Sequence, residues 1–531
     1  MGLRERLIDL WWKSPTASAI SQGLEVVVSR AFDKNPLVPR TRSRQRELVG
    51  RGLMLIAPFV LVAAGFDFIH AFPYGLMYDD GYFYAQIAYN LGRLGASTFD
   101  GVNVTSGYHL PWGAALGLVS WLVGLVTASK EAHLYAFQVL FAALALHTAR
   151  SFFSRRIEQF GAVVLVVMGS LLMETLLLSC LLLMLARLET QHPGDASERS
   201  DATVLAIAFL VPLVRIDAAL ILVVYAALRA FGEGIRAALR LLGAVALGVL
   251  VQVALMLAIF GEPFSVSAGI KARGAAPFSE RVWDSLVGPE GIALGYLMRS
   301  GLFLALALVT LSLCLVERRS LANRRLFSLG AGASAFSGGH FVAHLIPFWC
   351  YLPAYLVLWY ALTHSELRGP TLSRIRQATV VGVALLAVAF CGHKLKLHVA
   401  NREIARGARD FVARIQDHVS EGGRIYQIDG AGFTGFFSGR AVVDGDGLVN
   451  SYEYARRMRE GRLAGILDEQ QICYVITNRR AADGRLVDFG GLVVTESDVE
   501  EVFRTSTYGR FPTTDFVLFR RLAPMCSGAV G

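Results

Sequence analysis

Charged residues are scarce in this sequence. Only 18% of its 531 residues are Asp, Glu, Lys or Arg, whereas roughly a quarter are charged in an average soluble domain. Hydrophobic residues make up 54% of the chain, and the mean hydropathy is +0.48. Long apolar runs recur and are continuous rather than alternating, which is typical of membrane-spanning helices. The composition therefore excludes an ordinary soluble enzyme and predicts a polytopic, all-α membrane domain embedded in the lipid bilayer.

The sequence also lacks paired cysteine motifs and nucleic-acid motifs. None of its six cysteines forms a Cys-x-x-Cys pair. Cys180, Cys314, Cys350 and Cys391 lie in apolar runs as small core residues, whereas Cys473 and Cys526 are free to pair only outside the cytoplasm. The formal net charge is +9, but the basic residues flank apolar runs, as in cytoplasmic loops of membrane proteins. We therefore expect no nucleic-acid partner.

The N-terminal segment, residues 1–50, is predicted to be cytoplasmic, basic and amphipathic, with no cleavable signal peptide. Five arginines precede the first apolar run, Leu53–Phe72: Arg40, Arg42, Arg44, Arg46 and Arg51. Because positive residues stay in the cytoplasm, the loop 73–110 is predicted to be extracytoplasmic. The basic loop Arg318–Arg325 is predicted to be cytoplasmic.

The membrane domain is predicted to cover residues 51–395 with ten to twelve spans. Its further apolar runs are 111–128, 132–149, 161–188, 202–230, 238–260, 292–316, 326–345, 347–363 and 376–394. Run 161–188 contains Glu174, and run 202–230 contains Arg215 and Asp217. Since charged groups persist at membrane depth only where protein or water surrounds them, each of these runs is predicted to be two short helices that meet near a cavity.

Residues 396–531 are predicted to form a small extracytoplasmic α/β domain. Helices are expected at Asn401–Val419 and Tyr452–Arg462, and strands at Arg424–Asp429, Arg440–Val443, Ile472–Thr477 and, at an edge, Asp515–Arg521. Gly430, Gly432 and Gly435 fit the spacing G-x-G-x-x-G. No clean βαβ unit surrounds it, so a glycine turn is favoured over a nucleotide site.

Asp79 and Asp80 are adjacent acids at the start of a tyrosine-rich helix predicted at 81–94. One interpretation is a solvated pair that caps this helix, because Asp is favoured at helix N-termini. The other is a division of labour, in which one acid takes a proton from an acceptor hydroxyl and the other positions the acceptor or holds a cation.

These residues resemble a known family. The Asp79-Asp80 pair, Asn90-Leu91 and the stretch Gly107–Trp112 are similar to the first extracytoplasmic loop of GT-C glycosyltransferases, which use polyprenyl-phosphate-linked sugars. The stretch Met173–Leu176 resembles the family's Gly-Met/Leu-Glu-Thr segment, with Leu172 in place of the glycine. The stretch Leu213–Asp217 resembles its Arg-Pro-Glu/Asp segment, with Ile216 in place of the proline.

Two later stretches extend the resemblance. Phe260–Lys271 is similar to the family's Tyr-Gly-x-x-Leu-Pro…Lys loop without the inner proline, and 429–450 is similar to the small domain appended to many members. The likeness is nearest to the bacterial arabinofuranosyltransferase-like and protein mannosyltransferase-like branch. It implies a bacterial inner-membrane enzyme of cell-envelope synthesis, which moves a sugar from a polyprenyl-phosphate donor to an extracytoplasmic glycan, lipid or protein, with inversion at the anomeric carbon.

The resemblance also implies site residues. Asp79 is the expected general base, and Asp80 is expected to position the acceptor or to hold a divalent cation (Mg, Mn or Ca). Lys271, Arg273 and His340 are expected to hold the lipid phosphate, because the leaving group carries developing negative charge. Further substrate contacts are expected from the remaining polar and aromatic candidates: Tyr82, His109, Glu174, Arg215, Asp217 and His344.

Two other functions remain open from the sequence. A transporter or flippase for a lipid-linked sugar also needs broken helices and buried charges, although no internal repeat supports it. A relative of the family without catalytic activity, which binds glycan through its C-terminal domain, is the other alternative. The sugar, the acceptor and the oligomeric state are not specified by the sequence.

Overall fold

The computed structural model describes residues 79–169, 172–190, 198–271, 292–344, 350–383, 402–428, 430–477, 485–505 and 516–526. The N-terminal segment 1–50, the first apolar run Leu53–Phe72 and Arg273 therefore lie outside the described residues. All described residues fall within one unit of the chain, which begins at Leu53.

The described part begins with helices. In chain order they are α1 Asp79–Leu94, α2 Leu110–Gly124, α3 Lys130–Phe152, α4 Arg156–Gly169, α5 Thr175–Thr190, α6 Glu198–Val214, α7 Ala219–Glu233, α8 Ile235–Phe260, α9 Val266–Lys271, α10 Ile292–Val316, α11 Leu321–His344, α12 Tyr351–His364 and α13 370–383. A short 3₁₀ helix, Ile216–Ala218, separates α6 from α7.

Two of the described helices, α3 and α8, are long and apolar enough to cross a membrane, judged by length and composition. Helix α8 also presents apolar side chains outward, since Leu247, Leu250 and Leu257 are about half exposed or more. Helix α2 has 15 residues, fewer than the roughly 20 that a bilayer crossing needs. The prediction of ten to twelve spans therefore stays a prediction.

The two apolar runs that carry charged residues are each broken into two helices. Run 161–188 divides into α4 and α5, with Glu174 directly before α5. Run 202–230 divides into α6 and α7, with Arg215 and the 3₁₀ helix between them. The predicted breaks are confirmed, because the chain leaves the helical path where a charged side chain needs a partner.

The C-terminal part combines helices and strands, which confirms the mixed character predicted there. Its elements are α14 Arg402–His418, β1 Arg424–Gln427, α15 Ala431–Phe437, β2 Ala441–Asp444, α16 Tyr452–Arg459, α17 Ile466–Glu469, β3 Tyr474–Thr477, β4 Arg485–Phe489, β5 Leu492–Thr495, β6 Val499–Thr505 and β7 Phe516–Arg521. The main sheet has the order β2-β1-β3-β7-β6, and β4 pairs with β5 separately. Strands β1, β2 and β3 are parallel, whereas β7 is antiparallel to β3 and β6.

Two predictions for this part are wrong. Strand β7 is an interior strand, hydrogen-bonded to β3 on one side and β6 on the other, and not an edge strand. Four consecutive residues of this strand, Phe516–Phe519, are buried, as is expected for an interior strand that is covered on both faces. The glycine-rich stretch after β1 is not a simple turn, because within it only Gly430 has a positive φ and α15 begins directly after it. Strand β1, helix α15 and the parallel strand β2 form the βαβ unit that the sequence did not reveal.

The main sheet is buried on both faces. Ile425, Ile476 and Leu518 belong to the large apolar core that also contains residues of most of the helices α1 to α14. Their neighbours along the strands, Tyr426 and Val475, belong to a second core with α16 and α17. Because successive side chains of a strand point to opposite faces, one face of the sheet packs toward the helical part. The other face packs against α16 and α17 within the C-terminal part.

A disulfide joins Cys473 to Cys526 at the base of this sheet. The other cysteines of the described part form no disulfide: Cys314 and Cys350 are buried, and Cys180 is partly buried against the apolar core. The assignment of these three as core residues is confirmed. Disulfides are typical of protein parts that fold in an oxidising compartment.

Candidate functional site

Helix α1 presents its two leading acids to different surroundings. Adjacent residues of an α-helix point about 100° apart, whereas residues four apart share a face. Asp80 therefore shares a face with Tyr84, and Asp79 shares the adjoining face with Phe83. The Tyr84 face meets the helix breaks of the membrane part, and the Phe83 face meets Phe99. Asp79 is hydrogen-bonded to the start of α15, whereas Asp80 lies one helical turn before Tyr84.

Tyr84 connects α1 to the break before α5. Its hydroxyl donates a hydrogen bond to Glu174 Oε2 at 2.8 Å, and it lies 2.6 Å from His109 Nδ1. The His109 ring stacks on the Tyr84 ring, and its Nδ1 lies 3.4 Å from Glu174 Oε2. Three segments that are distant in sequence therefore meet at one fully buried carboxylate.

Arg215 joins this carboxylate to a second acid. Its Nη1 donates to Glu174 Oε1 at 2.6 Å, while Nε and Nη2 form a bidentate pair with Asp217 at 2.8 and 3.0 Å. Asp217 Oδ2 in turn lies 2.8 Å from His340 Nε2 at the end of α11. Paired carboxylates and a planar guanidinium form the strongest class of charged hydrogen bonds. We call the set Tyr84, His109, Glu174, Arg215, Asp217 and His340 the polar network.

The polar network has a buried centre and two accessible ends. Glu174 and Arg215 are buried, whereas the side chains of His109 and Asp217 are 31% and 40% exposed. All three arms of the Arg215 guanidinium are engaged by carboxylates of the chain. Arg215 therefore holds the two helix breaks together, and the ends at His109 and Asp217 are the parts that face outward.

The break before α5 contains a strained residue. Leu172 has φ of +63°, a region that favours glycine and that costs other residues about 1–3 kcal/mol. The Trp112 indole donates to the Leu172 carbonyl at 2.7 Å. Leu172 occupies the position at which the family segment has glycine, so the backbone keeps the glycine-type conformation although the side chain differs.

Asp79 is bound by the C-terminal part. Its two carboxylate oxygens accept hydrogen bonds from the backbone N–H groups of Gly432 and Phe433, each at 3.1 Å. These are N–H groups of the first turn of α15, which otherwise lack a partner within the helix. Its role as the base stays a prediction, but the geometry gives this acid a capping task.

A second junction holds the segment that leads to Lys271. Val266 N–H donates to Ser106 Oγ, the Ser106 hydroxyl donates to Tyr452 Oη, and the Tyr452 hydroxyl donates to the Phe264 carbonyl. The first loop, the segment before α9 and α16 are thus joined at one point. No sequence motif pointed to Ser106 or Tyr452, because their partners lie 160 and more residues away.

A buried carboxylate lies near Asp79. Asp444 accepts a hydrogen bond from Val449 N–H through Oδ2, while its Oδ1 is buried and has no hydrogen-bond partner among the described residues. Burial raises the pKa of Asp444 well above its usual range, and the Asp446 and Asp79 carboxylates raise it further. No group of three or more His, Cys, Asp or Glu side chains gathers as metal ligands in the described part of the chain.

Several predicted site residues lie elsewhere. Tyr82 is fully buried and its ring packs against Phe433 and Phe437, not toward the polar network. Lys271 and His344 end α9 and α11, but their side chains lie outside the described residues, as does the whole of Arg273. The structure therefore brings together His109, Glu174, Arg215, Asp217 and His340, and it adds Tyr84.

The sequence matches no protein-family model and no curated protein. Among solved structures, it is similar to ArnT from Cupriavidus metallidurans bound to undecaprenyl phosphate, with 12% identity and a TM-score of 0.48 over 90% of this chain and 98% of that chain. The apo state of the same ArnT is similar with 11% identity and a TM-score of 0.47, over the same shares of the two chains.

Proposed function

We propose that this protein is a GT-C-type membrane glycosyltransferase that transfers a sugar from a polyprenyl-phosphate donor to an extracytoplasmic acceptor. The observation that carries the proposal is the polar network. It joins four of the segments in which the sequence resembles GT-C enzymes: the acidic helix, the loop at His109, the break at Glu174 and the break at Arg215. A buried ion pair adds little net stability compared with apolar packing, and the exposed ends of this network leave polar groups available to a substrate.

The proposed reaction needs one base and a stabilised leaving group. The acceptor hydroxyl attacks the anomeric carbon, a new glycosidic C–O bond forms, and the C–O bond to phosphate breaks with inversion. The hydroxyl proton passes to a carboxylate of the Asp79-Asp80 pair. Lys271 and Arg273 balance the charge on the departing polyprenyl phosphate.

The exposed ends of the polar network suit a sugar. Asp217 and His109 offer hydrogen-bond acceptors and donors to hydroxyl groups, while Arg215 and Glu174 keep these ends in position. A bilayer setting is supported by the apolar surface of α8, and an extracytoplasmic C-terminal domain by the disulfide.

The test is to incubate the purified protein with a panel of polyprenyl-phosphate sugars and an acceptor extract, and to measure released polyprenyl phosphate. We expect release with at least one donor. Asp217→Asn should lower the rate by roughly 10²-fold or more, the effect of removing a charged transition-state contact. A transporter would instead move the donor across a vesicle membrane without release of polyprenyl phosphate, and this result would overturn the proposal.

A further inference from the structure

Helix α15 is held at both ends by charged side chains of the membrane part. Asp79 accepts from the N–H groups of Gly432 and Phe433 at its start. At its end, Lys130 Nζ donates to the carbonyls of Phe436 at 2.8 Å and Gly435 at 3.4 Å. A negative group at the N-terminus and a positive group at the C-terminus are the favourable signs for a helix. Both groups come from other elements, since Gly430 provides no side-chain cap.

The surface between the two clamped ends is closely packed. Tyr82 makes ring contacts with Phe433, Phe436 and Phe437. A Cβ atom at Gly432 would lie 2.5 Å from the Asp79 carbonyl oxygen, and one at Gly435 would lie 2.5 Å from the Phe99 ring. The glycine spacing that resembled a nucleotide motif therefore permits close approach of α15 to α1 and to Phe99 in the loop that follows α1.

The Lys130 ammonium group is held beside the end of α15 by further contacts. Its Nζ donates to Gln86 Oε1 at 2.9 Å on α1, and it lies over the rings of Tyr89 and Phe436. A lysine in such surroundings is costly to place without a partner. The ammonium group thus ties α1, α3 and α15 together.

We propose that Asp79 is a positioning residue, which clamps α15 together with Lys130, and that Asp80 is the acid that takes the acceptor proton. This inference rests on the proposed function. It follows from the two faces of α1: Asp79 points to α15, whereas Asp80 shares the face of Tyr84, which is bound to Glu174. The C-terminal domain then lies in a fixed position beside the acid pair. The loop at Leu448 also packs closely against Gly107.

The experiment combines activity and hydrogen exchange on the full-length protein in detergent. The variants are Asp79→Asn, Asp80→Asn, Lys130→Met and, as the matched control, Lys130→Arg. Activity is the release of polyprenyl phosphate from a donor that the wild type uses. Exchange is measured by mass spectrometry on peptides that cover 431–437.

We expect Asp80→Asn to lower the rate by roughly 10²–10⁴-fold, the contribution of a general base, with unchanged exchange in α15. Asp79→Asn and Lys130→Met should speed exchange in α15 by roughly 2- to 30-fold, the range that loss of a helix cap produces. Asp79→Asn and Lys130→Met should keep the wild-type pH profile of activity at a reduced rate. Lys130→Arg, which keeps the positive charge, should show the exchange and the rate of the wild type.

Two results would overturn the inference. One is loss of activity in Asp79→Asn with unchanged exchange in α15, which would make Asp79 the base. The other is unchanged exchange in Lys130→Met, which would remove the clamp. If the wild type releases no polyprenyl phosphate from any donor, the proposed function fails, while the exchange measurements still decide on the clamp.

Discussion

Asp444 is a buried carboxylate with surroundings far from those of a side chain in water. It is buried, one of its oxygens has no hydrogen-bond partner among the described residues, and the carboxylates of Asp446 and Asp79 face it. Tyr426 and Tyr454 lie close by on the inner side, and the Tyr454 hydroxyl donates to the Gly445 carbonyl. Burial and the neighbouring negative charges both favour the protonated form of Asp444 in the folded protein.

This predicts a defined pH dependence for Asp444→Asn. Since the pKa of Asp444 is raised in the folded state, the folded protein binds more protons than the unfolded chain above about pH 4. The contribution of Asp444 to stability is therefore fully present below about pH 4 and is lost as pH rises toward the raised pKa. We expect the melting temperature of the wild type, relative to the Asn variant, to fall between pH 4 and pH 8.

The measurement is thermal unfolding of both proteins in detergent at each pH, compared as a difference so that other titrating groups cancel. Asp488→Asn, on the exposed face of the β4–β5 hairpin, serves as control and should show no such trend. A pH-independent difference between wild type and Asp444→Asn would show that Asp444 is ionised in both states.

At the scale of elements, two helix breaks are joined by one ion pair. Glu174 lies before α5 and Arg215 lies before α7, and their side chains meet at 2.6 Å in a buried position. Removing one partner of a buried pair leaves the other charge uncompensated, which costs about 3–5 kcal/mol. Asp217 still binds Arg215 in that case, so the lower end of this range applies.

We therefore expect Glu174→Gln to lower the free energy of unfolding by about 3 kcal/mol, measured by denaturant titration of the purified protein. Glu453→Gln is the matched control, because Glu453 forms its ion pairs with Arg456 and Arg457 on an exposed helix. Such surface pairs contribute little, and no measurable change is expected. Equal stability of Glu174→Gln and wild type would mean that the break is held by packing alone.

The sequence was sufficient to predict the breaks but not the network. A charge inside an apolar run is expensive, so Glu174, Arg215 and Asp217 marked the positions where helices end. Their partners depend on how α1, α5, α7 and α11 pack, and Glu174 and Arg215 are 41 residues apart. Tyr84 was missed because an aromatic in an aromatic-rich helix carries no local sign of a hydrogen-bond partner.

Helix α15 was missed for a different reason. Three glycines in six residues lower helix propensity, and the compensation comes from Asp79 and Lys130, which lie more than 300 residues away. The local pattern therefore favours a turn, whereas packing against α1 selects the helix. Strand β7 was misplaced because its position between β3 and β6 depends on long-range strand pairing, which the local sequence does not specify.

For the whole molecule, charged clusters lie at both ends of the same three helices. At the end of α5 and α7 and the start of α11, Glu189 and Glu233 pair with Arg229 and Arg325. This second cluster is about 22 Å from the polar network along α5, at 1.5 Å per residue. Charges at the ends and apolar residues between them fit helices that span most of a bilayer.

This arrangement predicts opposite sides of the membrane for the two ends. The loop beside the second cluster is basic and is expected to face the cytoplasm. The disulfide-bonded C-terminal domain contacts the opposite end, through Asp79 and Ser106. Cysteines introduced at exposed positions test this: Val493→Cys in strand β5 and Arg319→Cys in the basic loop.

Spheroplasts that express each variant are treated with a membrane-impermeant maleimide, before and after lysis, and the parent protein sets the background. Among the native cysteines of the described part that form no disulfide, Cys314 and Cys350 are buried and Cys180 is partly buried, so the labelling of the parent protein is subtracted. We expect Val493→Cys to be labelled in intact spheroplasts and Arg319→Cys only after lysis. Labelling of Arg319→Cys before lysis would place the second cluster outside the cytoplasm. The polar network would then lie at the cytoplasmic end of the helices, where it could not serve an extracytoplasmic acceptor.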